Sequence, residues 1–228
     1  QKEITREEAL EGVITVRFAN DEGVKEKTDA DGRKYKKRKI RGCDNYKANE
    51  LNKHTRISEK FQNTHVDVML YIARELYQQG WLDLVASTED FSSAYNSLPV
   101  SVDGLKFCRV VFADPNGRER FFQGYRMPFG STSSVRQWQR TARFVTAVLV
   151  HLNIPLMVYV DDMAFVVPTE FKHEFIELIR DIIQGVLGWQ LDLDKHEDGK
   201  SVKELGIQVT LGPGFMELEL PHDKKKKW

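Results

Sequence analysis

The segment Leu156-Met-Val-Tyr-Val-Asp-Asp-Met-Ala-Phe-Val-Val167 narrows the folds open to this chain more than any other stretch. Two apolar runs, β-branched and aromatic in character, flank the adjacent carboxylates Asp161 and Asp162. Runs of this kind form strands. Two strands that reverse at Asp-Asp make a hairpin with both anions at its tip. Aspartate is common in solvated turns, and an isolated pair carries no further meaning. Here both flanking runs read as buried, so the pair sits at the edge of a core. Two anions there repel each other unless a cation joins them, and hard oxygen ligands suit Mg²⁺ or Mn²⁺. A site of that kind needs a third carboxylate from elsewhere in the chain.

Asp90 is the candidate. Trp81-Leu-Asp-Leu-Val-Ala-Ser-Thr-Glu-Asp90 reads as a strand that ends on it, followed by Phe91-Ser-Ser-Ala-Tyr-Asn-Ser-Leu-Pro99. Small residues after an acidic one leave backbone N–H groups open to an anion such as a triphosphate. The same pattern also starts a helix with Asp90 as its N-cap. Antiparallel strands would set Asp90 beside Asp161, with Asp162 close behind. A carboxylate cluster holding two divalent ions suits phosphoryl or nucleotidyl transfer. A nuclease and a polymerase both fit the cluster alone.

The remaining chain supplies a frame for these residues. With 228 residues it can bury a core in one domain or two lobes. The formal net charge is +0, so no overall charge draws it to nucleic acid. Basic residues concentrate locally, in Lys34-Tyr-Lys-Lys-Arg-Lys-Ile-Arg41 and in Lys224 to Lys227. The first run fits a phosphate-contacting surface or an edge strand kept soluble by lysines. Cys43 and Cys108 give neither a disulfide framework nor zinc spacing, which points to a reducing, intracellular setting. No apolar run reaches membrane-spanning length. The chain begins at Gln1, as expected of a piece of a longer protein.

Helices are expected at 5–11, at 64–79 with Thr64 and Asp67 as a capping box, from Ser131 or Thr132 to about 151, and after Pro168. The third should bury Val135, Trp138, Ala142, Val145 and Leu149, leaving Arg136, Arg140 and Arg143 to solvent or nucleic acid. The fourth should bury Phe171, Phe175, Leu178, Ile182 and Val186. A strand is expected at 12–18, with turns at Asp21-Glu-Gly23 and Asp29-Ala-Asp-Gly32. Hairpins are expected across Asp114-Pro-Asn-Gly117 and across Leu211-Gly-Pro-Gly214. Strands and helices mix without βαβ alternation, so the class is α+β.

In order along the chain, Asp90-Phe-Ser-Ser-Ala-Tyr95, Met127-Pro-Phe-Gly130, Tyr159-Val-Asp-Asp162, Leu187 to Lys195 and Glu204-Leu-Gly-Ile207 resemble the motifs of retroviral and retrotransposon reverse transcriptases. Lys39-Ile-Arg-Gly-Cys-Asp44 with Leu51-Asn52 resembles the fingers motif upstream. The resemblance covers most of the chain. It implies a palm, an antiparallel sheet with helices packed on one face, plus a smaller fingers lobe. Residues 1–80 would be fingers and the start of the palm; residues 81–228 would be palm and primer grip, without a thumb.

It also implies roles. Asp90 and Asp161 would ligate two Mg²⁺ ions (or Mn²⁺), with Asp162 beside them and the Phe91 carbonyl assisting. Ser93 and Ala94 would meet the triphosphate through backbone N–H groups, and Arg41 and Lys39 through side chains. Tyr95 would be the steric gate under the sugar. Phe129 and Gly130 would line the nucleotide pocket, and Lys195 would protonate pyrophosphate. Glu204, Leu205 and Gly206 would grip the primer. The implied partners are an RNA or DNA template with its primer, dNTPs, and further domains such as a thumb and an RNase H. The family's Ala-Pro or Ser-Pro after Pro-x-Gly is absent; Ser131-Thr-Ser-Ser-Val135 stands there. The alternatives are an RNA-directed RNA polymerase and a catalytically silent palm that only binds nucleic acid.

Overall fold

A computed structural model describes residues 1–28, 33–60 and 63–220, with 25–28 and Lys39 described by backbone alone. The turn expected at Asp29–Gly32, the Lys39 side chain and the Lys224–Lys227 tail therefore lie outside the described residues. The chain is α+β and forms two compact units that interleave in sequence, 1–58 with 95–137, and 59–94 with 138–228. The boundary expected near residue 80 does not coincide with this division. The first unit takes back a later stretch of chain because the strand Ile14–Thr28 pairs with Arg109–Ala113, a partner that local pattern does not reveal.

In the first unit one sheet runs Lys2–Ile4, Glu119–Gln123, Arg109–Ala113, Ile14–Thr28, Lys34–Asp44. The pairing of Ile14–Thr28 with Arg109–Ala113 is parallel. The strand expected at 12–18 continues through Asp21-Glu-Gly23, where a register shift between Asp21 and Val24 bulges the ladder instead of ending it. The hairpin at Asp114–Gly117 forms as expected: Gly117 has φ 78°, and the Asp114 carboxylate accepts from the Asn116 and Arg118 N–H groups. The capping box belongs to the helix Arg6–Leu10, where Thr5 and Glu8 satisfy each other's backbone N–H.

In the second unit a four-stranded antiparallel sheet runs Met157–Tyr159, Asp162–Pro168, Leu84–Asp90, Glu197–Gly199. Every residue of Leu84–Asp90 is buried. Directly opposed residues in an antiparallel pair share a face, so Leu84, Ala86 and Val166 lie together, and Ser87 lies with Phe165 on the other side. The helix Val66–Gln78 packs Val66, Met69, Ile72 and Ala73 on the first face. There they meet Val202, Val209 and Leu211 of a three-stranded meander, Ser201–Glu204, Ile207–Gly212, Phe215–Glu219. The helix Lys172–Arg180 meets the other face, where Phe175 packs on Phe165.

Two helix expectations change. Thr64 does not cap the helix at 66. Its hydroxyl donates to the Val158 carbonyl and accepts the Val158 N–H, bonding the chain to the aspartate hairpin. The helix after Pro168 buries Ile176, Ile179, Ile182 and Ile183, while Phe171, Leu178 and Val186 are exposed. Phe171 lies in a 3₁₀ turn before the helix and Asp181–Val186 winds as a π-helix; the buried stripe keeps helical spacing but falls one residue beyond the expected one, on Ile176, Ile179 and Ile183.

Candidate active site

The strand Leu84–Asp90 ends with Asp90 directly opposite Asp162. Asp161 was expected at that position. It is carried instead at the apex of the turn, because Val160 adopts φ 56° and the chain reverses through Val160-Asp161. Asp161 remains tied to the neighbouring strand, since its carbonyl accepts the Phe91 N–H at 3.0 Å. Trp138, fully buried, donates its indole N–H to the Val160 carbonyl at 2.7 Å and stacks edge-on against Phe91. The positive-φ turn is thus held by a buried aromatic on the helix Thr132–His151. That helix buries Trp138, Ala142, Val145 and Leu149 as expected and leaves Val135 half-buried.

Burial pushes the Asp162 carboxyl up to about 7, aided by its hydrogen bond with Asp90 and the charges of Asp161 and Asp90, against the pull of Lys195. Lys195 Nζ lies 2.6 Å from Asp90 Oδ1 and 3.6 Å from Asp192. Burial opposes the lysine charge, yet Asp90 and its neighbours hold its pKa above the ordinary value. The loop that carries Lys195 is fastened to the strand end: Asp192 donates its N–H to the Asp90 carbonyl and Ser92 donates to the Gln190 carbonyl, both at 2.8 Å.

Glu204 lies on the same side of the unit. It is buried, its Oε1 has no partner, and burial followed by the charges of Asp162, Glu197 and Asp90 pushes it up to about 7. The following Leu205 and Gly206 have φ 48° and 73° and close a two-residue turn between Glu204 and Ile207. Local pattern reads 202–210 as one strand and does not mark this turn, and Glu204, named only as a primer-grip residue, is a fourth carboxylate here; an acidic residue on a strand ordinarily faces water.

These groups make a pH prediction. The folded carboxyls of Asp162 and Glu204 titrate near 7, against 3.8 and 4.5 when unperturbed. Between those limits the folded state binds more protons than the unfolded one, so metal-free stability falls as pH rises through that window. The carboxyls pulled down by cations, Glu3, Asp21, Asp83 and Asp198, act below it. Melting in chelator at about pH 5.5 and about pH 8 should show the loss, and Asp162→Asn should flatten it. An equally steep trend in that variant would remove Asp162 as its source.

Among the described residues, no three Asp, Glu, His or Cys side chains converge at metal-ligand spacing. The donors present are nonetheless of the right chemistry. Asp90 and Asp162 face each other on one side of the sheet, Asp161 is next to them in the turn, and their mutual repulsion is what a divalent cation relieves.

The other predicted residues belong to the first unit, apart from Ser93 and Ala94. Ser93 holds φ 55°, and the chain after it forms the 3₁₀ turn Ala94–Ser97, so neither a long helix nor its N-cap is present at Asp90. The half-buried Tyr95 ring lies 5.9 Å from that of Phe129 at 53°. Gly130 holds φ 92° with its Cα close to the Asp44 carbonyl, and a Cβ there would lie 3.0 Å from that oxygen. Asn52 bridges the same corner, donating to the Gly130 carbonyl and accepting the Thr132 N–H at the start of the helix. Ser131 or Thr132 was the expected cap; Asn52 takes the part from a distant stretch of chain. Gly130→Ala should cost about 2 kcal/mol in urea unfolding, through the left-handed φ and the close carbonyl. A loss of a few tenths would mean the corner relaxes. Arg41 is half-exposed and paired with Glu22 at 2.8 Å. Arg136, expected on the outer face, is buried and bonded to Ser58, while Arg140 pairs with Glu59.

No protein-family profile and no curated protein sequence matches the chain. Solved structures do. The foamy viral protease-reverse transcriptase in complex with RNA/DNA hybrid matches 90% of this chain at TM-score 0.57 and 19% identity. The same enzyme in complex with double-stranded DNA matches 90% at TM-score 0.59 and 20% identity. The chain spans 24% and 31% of those proteins' lengths. The fold is therefore reverse-transcriptase-like. No helix among the described residues is long and apolar enough to cross a membrane.

Proposed function

We propose that this chain is the fingers and palm region of an intracellular retroelement reverse transcriptase, an RNA-directed DNA polymerase that extends a primer 3′-OH with dNTPs. The observation that carries the reading is the antiparallel register that sets Asp90 against Asp162, with Asp161 in the adjoining turn and Lys195 salt-bridged to Asp90. The fold match and the motif order support it. A bound pair of Mg²⁺ ions, held by Asp90, Asp161 and Asp162, would supply Lewis-acid activation of the primer hydroxyl and stabilisation of the leaving oxygen.

The chain's own residues do the rest. Lys195 holds a proton on Nζ, kept there by Asp90, and can donate it to the departing pyrophosphate. The turn at Leu205-Gly206 presents backbone groups that can hold the primer end. Tyr95 and Phe129 present the paired rings expected to meet the sugar and base of the nucleotide. Template–primer duplex is the macromolecular partner, and a thumb and an RNase H would belong to the longer parent protein. Primer extension on an RNA template, with dNTPs and NTPs supplied separately in Mg²⁺, tests the assignment. Extension confined to dNTPs supports it; extension with NTPs alone makes the chain an RNA polymerase; duplex binding without extension makes it a silent palm.

A further inference from the structure

Behind the aspartates, on the opposite face of the same strand, lies a second set of charges that the proposed reaction does not use. Glu89 is 2% exposed and sits opposite Met163, on the helix-covered side of the sheet. A carboxylate at such a place is costly unless it is paired. Arg180, at the end of the helix Lys172–Arg180, meets Glu89 Oε1 with Nε at 2.9 Å and a terminal nitrogen at 2.7 Å. His196 Nδ1 lies 3.1 Å from the same Oε1 and 3.1 Å from the Thr88 carbonyl. His196 Nε2 faces Asp198 at 3.6 Å, and Asp198 is held by Lys172 at 2.5 Å. Glu89 Oε2 is buried without a partner.

The arrangement has a simple logic. Glu89 and Asp90 are consecutive on one strand and point to opposite faces. Lys195 and His196 are consecutive in one loop. Asp90 binds Lys195, and the His196 Nδ1 lies between the Glu89 carboxylate and the Thr88 carbonyl, so the strand end meets the loop from both sides. Arg180 anchors the Glu89 half of the grip to a helix packed on the sheet.

We propose that Glu89, Arg180 and His196 form a positioning clamp that sets the Lys195 ammonium against Asp90. The clamp rests on the polymerase reading for its purpose, but its mechanical part stands apart from it. Glu89 and His196 are positioning residues that act through Lys195. Their loss should therefore matter only while Lys195 is present. It should also loosen the loop whether or not the protein has any activity.

The test uses Glu89→Gln, which keeps the shape and removes the charge, and His196→Ala as a second variant on a less buried side chain. Each is made in wild type and in Lys195→Ala. Extension rate and dNTP KM are measured alongside amide hydrogen exchange of residues 190–196 in the metal-free protein. The expected result is a loss of about tenfold in kcat with KM little changed, and no further loss in the Lys195→Ala background. Exchange of the loop amides should quicken by about tenfold or more in both variants, with the sheet amides unchanged. If Glu89→Gln does not fold, His196→Ala decides alone. Equal losses in both backgrounds, or unchanged loop exchange, would overturn the clamp. A wild-type protein that extends no primer counts against the polymerase reading, and loop exchange then decides the clamp without it.

Discussion

Asp90→Asn or Asp161→Asn should lower Mg²⁺-dependent primer extension by about a thousandfold or more, the scale of losing several kcal/mol of transition-state charge stabilisation. Asparagine keeps the side chain's size, so the effect is one of charge. In the fold Asp90 is buried at the strand end and Asp161 is at the turn apex, with its carbonyl bound to the Phe91 N–H. Neither substitution removes a packing atom or that backbone bond. Asp90→Asn also discharges the partner of Lys195, so it combines a ligand effect with a loosened lysine, and should be the more severe. Melting and circular dichroism of both variants should match wild type within a few degrees. Folded variants that still extend at the wild-type rate would remove the aspartates from the mechanism.

The second large effect concerns sugar choice. On the proposed gate role, Tyr95 should confer a dNTP preference of at least about a hundredfold, because a large flat ring beneath the sugar would leave no room for a 2′-OH. Tyr95→Val or Tyr95→Ala should admit NTPs and erase most of that preference, while dNTP use falls modestly. The ring is half-buried and packs on Phe129, itself half-exposed. A role in packing alone predicts something different: both substrates lost equally, together with lower stability. Measuring kcat/KM for a dNTP and its matching NTP, with a melt for each variant, separates the two. A wild-type protein that uses both sugars equally would end the DNA-polymerase assignment.

Local pattern was enough to reveal the strands around Asp161-Asp162, the hairpin at Asp114–Gly117 and the buried stripe on the helix at 132–151. Each depends on residues near one another in sequence: alternation, a left-handed glycine, an asparagine or aspartate at a corner, a 3.6-residue repeat. The acidic tip and the strand ending at Asp90 were legible for the same reason.

What lay beyond the sequence is a matter of partners. Which aspartate faces Asp90 depends on the register of two strands far apart in the chain, and a one-residue slip would turn every side chain to the other face. Arg136 looks like a surface charge until Ser58 is brought beside it, and the pairing of the buried Glu89 appears only once Arg180 is beside it. Thr64 looks like a cap until Val158 offers a closer pair of backbone groups. The stripe expected at 171–186 lies one residue over, on Ile176, Ile179 and Ile183, because the side of the helix that the sheet covers is decided by packing and not by spacing alone. Sequence determines what each short segment prefers. Tertiary structure decides which distant group satisfies each buried charge and each backbone N–H, because that cost is set by burial.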